Sequence, residues 1–127
     1  MPWFSRRKEN EPWEDENEAP VGDIETAHRI RDICSSAASS AQKLAGLINR
    51  PNDKTKKYET VRYDRARKRA LVLAKQIYDD LLRETAVRQI INLCVSAGEV
   101  EKAAILIGAI QTDKIREEVL TEHPSLR

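Results

Sequence analysis

The amino-acid sequence predicts an all-α protein: a small helical bundle of two long antiparallel helices and three shorter C-terminal helices, preceded by a disordered tail. Three observations carry that prediction. From Gly22 onward, apolar residues recur in alternating three- and four-residue steps. Gly and Pro are scarce, 4 and 5 in 127 residues, so little interrupts a helix. Ala, Leu, Lys, Arg and Glu, all good helix formers, are abundant, whereas there is one Phe. Hydrophobic residues make up 40% and charged residues 34%, the balance expected of helices that each turn one charged face to water. The length fits a single domain with one core.

Residues 1–21 read as the tail. Pro2, Pro12 and Pro20 break any helix, and no apolar period is present. Arg6, Arg7 and Lys8 are followed by six acids, so the segment carries a net charge of −3 with few apolar residues to offset the entropy of ordering. Trp3, Phe4 and Trp13 stand out, because an acidic disordered stretch offers aromatics no core to join. With Arg6 and Arg7 they form a candidate partner-binding motif, aromatic anchors beside cations. Weak contact with an anionic membrane surface is a second reading, opposed by the acidic run.

Residues 22–127 read as the folded domain. Asp23 can cap a first helix over about 23–49, with Ala27, Ile30, Cys34, Ala37, Ala41, Leu44 and Ile48 as its seam. The small residues from Ser35 to Ala41 predict a close neighbour. A second helix is expected over about 58–83. Tyr63, Ala66, Ala70, Leu73, Ile77 and Leu81 form one stripe, and Arg67, Leu71, Ala74, Tyr78 and Leu82 form a row beside it. Shorter units follow. Ala86 to Ala97 gives a third helix that stops at Gly98, where glycine can adopt the left-handed conformation. Val100 to Ile110 gives a fourth, and Thr112 caps a fifth that ends at Pro124. The run from Ala103 to Ile110 reads better as a helix apolar nearly all round than as a strand, so that helix is expected to be central or covered by a partner.

The search for chemistry yields no catalytic set, no metal site and no cofactor site. His28 and His123 lie far apart, and neither has a Cys at helical spacing. Glu25 and His28 form a Glu-x-x-His pair, but a carboxylate-bridged metal centre needs a second such pair, and the sequence has none. Asp79 and Asp80 point about a hundred degrees apart on a helix and cannot converge on one atom. Cys34 and Cys94 are too few for a disulfide framework or zinc cluster and are expected as buried free thiols.

Charge gives the strongest local signal. Between Lys54 and Arg69 there are eight cations and two anions, a net of +6 in sixteen residues. Lys54, Lys56, Lys57, Arg62, Arg65, Lys68 and Arg69 make a basic patch able to neutralise phosphates or an acidic protein surface, with Tyr58 and Tyr63 available for stacking. A solvated helix face is the plain alternative. The acidic tail could also fold back on this patch.

These features predict a non-enzymatic adaptor or regulatory subunit that acts through another protein or through self-association. Its apolar contact residues would be Leu71, Tyr78, Ile105, Leu106 and Ile107. A nucleic-acid accessory protein using residues 54–69 is the runner-up. No run reaches the ~18 apolar residues of a membrane span, and the N-terminus lacks the apolar core of a signal peptide, so a cytoplasmic location and no stable membrane insertion are expected.

Overall fold

The computed structural model of the chain describes residues 11–14, 22–50 and 53–127. Five α-helices follow in order: α1 (Asp23–Gly46), α2 (Lys54–Lys75), α3 (Asp80–Ser96), α4 (Val100–Ile107) and α5 (Asp113–Glu122), with 3-10 turns at Pro12–Glu14 and Pro124–Leu126. The described residues contain no strand, as the sequence predicts. No described helix is long and apolar enough to cross a membrane.

α1 packs chiefly on α2, then on α3, and α3 carries α4. The long pair is antiparallel: Ser40 and Lys43 near the end of α1 reach Glu59 near the start of α2, while Asp23 at the start of α1 meets the chain just after α2. Ala37, Ala41, Ala66 and Ala70 are fully buried. Side chains of that size permit close approach of helix axes, as the small-residue run predicts. Ile30, Ile33, Tyr63, Ile90, Ile91 and Val119 complete the centre of the core.

The second helix differs from its expected span of 58–83. Asp53 accepts a hydrogen bond from the Thr55 N–H (2.7 Å), which starts α2 four residues early. At the other end the helix stops at Lys75, and Asp79 caps α3 by accepting from the Leu82 N–H (2.9 Å). The amides freed in this break find a partner in Asp23, which accepts from the N–H groups of Tyr78 (3.1 Å) and Asp79 (2.8 Å). The break resets the register. Ile77 stays buried, whereas Leu81, expected on the same stripe, is 60% exposed.

Gly98 closes α3 as expected, with φ at +82°. Glu99 N–H donates to Cys94 O (2.9 Å) and Gly98 N–H to Val95 O (3.0 Å), the paired bonds of a Schellman motif. Thr112 precedes α5, but its side chain does not cap the helix. Glu84 of α3 acts there instead, its buried carboxylate accepting from the N–H groups of Gln111 (3.1 Å) and Thr112 (3.2 Å). The fourth helix is neither central nor long. It ends at Ile107, buries only Ala103, and exposes Ile105.

Trp13 corrects the reading of the tail. The Pro12–Glu14 turn packs on α1 and α2 and leaves Trp13 only 5% exposed, a member of the core rather than a free anchor. The turn is closed by the Glu14 N–H to Glu11 O bond (2.9 Å) and by Glu11 N–H donating to the Glu14 carboxylate (3.2 Å). Sequence periodicity missed it because one buried side chain in a three-residue turn has no period. The other tail residues singled out, Trp3, Phe4, Arg6 and Arg7, lie outside the described residues.

Two predictions follow from these contacts. Trp13→Ala should lower the unfolding free energy by about 3 kcal/mol in urea titration, where a free tail residue would leave it unchanged. Burial alone would raise the Glu84 carboxyl, but hydrogen bonds from the Thr112 side chain and the Gln111 and Thr112 amides, helped by Arg83, hold it below the usual carboxylate range. A depressed folded value means that its stabilisation is present above the unfolded value of about 4.3 and is lost as pH falls through the folded value. Glu84→Gln should therefore cost about 2 kcal/mol at neutral pH, and the difference from the parent chain should shrink as urea titrations are repeated at lower pH.

Candidate interaction surface

α2 carries nine cations and two anions over Lys54–Lys75, and its structure sorts them by face. Glu59 points inward and is only 4% exposed. It accepts from the Ser40 hydroxyl (2.6 Å) and pairs with Lys43 (3.4 Å). Asp64 pairs with Arg67 (3.1 Å). Both anions are thus engaged with cations, Glu59 with one on α1 and Asp64 with one on α2 itself, and neither lies on the outermost row.

That outermost row is Lys54, Tyr58, Val61, Arg65, Lys68, Val72 and Lys75, every member exposed. The steps alternate between four and three, the 3.5-residue period with which one helix meets another. Tyr58, Val61 and Val72 are 62%, 44% and 46% exposed. The row is therefore apolar toward both ends and cationic in its middle, with no acid along it. Lys57 is exposed beside it.

Not every residue of the expected basic patch belongs to this face. Arg62 turns inward: its Nε donates to Ser40 Oγ (3.0 Å), its Nη1 pairs with Glu11 (2.6 Å), and its guanidinium lies 5.0 Å from the Trp13 ring centroid and 5.9 Å from that of Tyr58. One acid of the N-terminal segment thus does meet the basic helix. Lys56 and Arg69 are partly buried. Lys54, Lys57, Arg65 and Lys68 remain outward.

The expected apolar interface is also redistributed. Leu71, Leu106 and Ile107 are partly buried and pack against the core, so they close it instead of presenting an open face. Tyr78 and Ile105 are exposed, 91% and 77%, at separate places in the fold. Because Asp23 ties the α2–α3 connection to the start of α1, Tyr78 stands at the same end of the bundle as Ile24 and Leu81, themselves 65% and 60% exposed. Val61, Val72 and Ile24 were not singled out from sequence, and Leu81 was expected in a buried stripe. A 3.5-residue repeat with only three apolar members is hidden by the cations between them.

The candidate chemical groups have other occupations. Asp79 caps α3 and Asp80 pairs with Arg83 (2.5 Å). Glu25 and His28 are both exposed. Among the described residues no group of three or more His, Cys, Asp or Glu is placed to hold a metal ion. Burial, then the nearby Cys94, pushes the Cys34 thiol up to about 12, and burial also raises Cys94, so both are protonated at neutral pH. A cleft of about 350 Å³ lies between the end of α1, α2 and the α3–α4 turn. The Tyr63 hydroxyl is buried beside it, facing Cys94 and Glu99, and closes a hydrogen bond with neither.

The chain matches no known protein family, no curated protein and no solved structure.

The buried Tyr63 hydroxyl yields a direct check. Removing an unpaired buried hydroxyl while keeping the ring should leave stability unchanged or raise it, by up to about 1 kcal/mol. Tyr63→Phe is expected to show this in thermal and urea unfolding; a loss above that size would mean that the hydroxyl is paired.

Proposed function

We propose that the protein is a non-enzymatic helical adaptor or regulatory subunit that binds another protein through the outward face of α2. One observation carries the reading: an exposed row in helix–helix register, apolar at Tyr58, Val61 and Val72 and cationic at Arg65 and Lys68. A solvated face needs no valines at these positions, and a purely electrostatic site gains little from them. The complementary surface is a helix with apolar residues toward its ends and acids at its middle, which would gain both burial and charge pairing. A second copy of this chain fits less well here, because its own cations would face Arg65 and Lys68 in either orientation. The cytoplasm is the compartment in keeping with this reading. Cys34 and Cys94 are unbridged, as thiols are in a reducing environment.

Photo-crosslinking from position 61 or 72 of the full chain, in the cells that make it, should capture a protein whose cross-link maps to an acidic helix. Val72→Asp, and separately Arg65→Glu with Lys68→Glu, should each weaken that complex about tenfold or more while leaving the helical circular dichroism intact. Cross-links to nucleic acid, with affinity falling steeply in added salt and indifferent to Val72→Asp, would transfer the face to phosphate binding and overturn the protein reading. So would binding that ignores all three substitutions.

A further inference from the structure

The groove between α1 and α2 that holds Glu11–Glu14 has the properties of a peptide-binding site filled from within the same chain. Recognition is by side chains. The indole of Trp13 is buried, the guanidinium of Arg62 lies over it at 5.0 Å, and the same guanidinium takes the Glu11 carboxylate at 2.6 Å. Among the described residues no backbone hydrogen bond ties this turn to either helix; its backbone bonds are its own.

The cation of the site is also held without the turn. Ser40 Oγ accepts from Arg62 Nε at 3.0 Å and donates to Glu59 at 2.6 Å, and Lys43 pairs with Glu59 at 3.4 Å. Two of these residues come from α1 and two from α2, so the helix pair itself holds the guanidinium over the groove. A receptor whose cation is held by its own scaffold loses no alignment when its ligand leaves.

We propose that this groove is a recognition site for an acidic, aromatic turn of the form Glu-x-Trp, occupied in cis by Glu11 and Trp13 and able to accept the same turn in trans from another protein. The inference stands independently of the α2-face reading, since it rests on the inward side of α2. The two sites nevertheless touch, because Arg62 stands 5.9 Å from the ring of Tyr58, a member of the outward row.

The probe is a capped peptide with the sequence of residues 9–16, added to the full chain and followed by NMR shifts at Ser40 and Arg62 and by thermal shift. The Trp13→Ala chain, its groove vacated, should bind the peptide saturably and gain thermal stability. The parent chain should bind at least about tenfold more weakly, because the tethered copy competes at an effective concentration in the millimolar range. Peptides carrying Trp13→Ala or Glu11→Gln should lose binding, the second partially and with a weaker salt dependence. If Trp13→Ala fails to fold, the Glu11→Gln chain decides, because its loosened turn should let the wild-type peptide in more tightly than the parent does. Equal binding to the parent and the vacated chains, or no saturable binding to either variant, would overturn the proposal and leave Trp13 as core filling only.

Discussion

The close antiparallel packing of α1 on α2 is the constraint from which the other features descend. Four alanines, Ala37, Ala41, Ala66 and Ala70, stand fully buried where larger side chains would push the axes apart. With the helices this close, one buried carboxylate on α2 is within reach of two polar groups on α1, and Glu59 can be kept inside at 4% exposure by Ser40 and Lys43. An unpaired carboxylate at that depth would be strongly destabilising, so the network and the short interhelical distance depend on each other. The same geometry disposes the charge of α2. Its inward side accommodates alanines, Tyr63 and one compensated acid, and most of its cations are left for the outside.

Two connections in the bundle are held by one device, a carboxylate that accepts backbone N–H groups outside its own helix turn or at a helix start. Asp23 holds the α2–α3 break, Asp79 begins α3, and Glu84 gathers the amides ahead of α5. Backbone donors at such places have no helical partner and would be costly to bury unmet. The device also has consequences for the surface. By drawing the α2–α3 connection onto the start of α1, Asp23 sets Ile24, Tyr78 and Leu81 at one end of the bundle, where none of the three finds cover.

What could be read in the sequence was what repeats. The seams of the two long helices recur with the helical period, and Gly98 ends its helix by a conformation that few other residues adopt. The break at residues 76–79 escaped because the apolar period runs through it: Ile77 and Leu81 keep step in sequence although a new helix starts between them. Only Asp79 marks the place, and an acid in a charged helix attracts no notice until its partner amide is seen. Trp13 was illegible for a different reason. It meets Arg62, 49 positions away in the chain, and no local pattern encodes such a meeting. The basic segment was visible as a net charge, but its division was not. Arg62 is turned inward by Ser40 and Glu11, while Arg65, three residues later, faces water.

That division bears on what kind of surface α2 presents. A nucleic-acid face gains from every added cation, and a helix selected for that alone would use Arg62 outward as well. Here the guanidinium nearest the start of the row is committed to a buried aromatic and an acid, and the outward row alternates its remaining cations with Tyr58, Val61 and Val72. Large apolar side chains held in water at 3.5-residue intervals have no role in neutralising phosphates, yet they set the register in which two helices meet. In the proposed reading, the cations between them oppose any partner that lacks acids at the matching positions, including another α2. Specificity of that type needs both elements on one face, and the inward turn of Arg62 leaves the row with both.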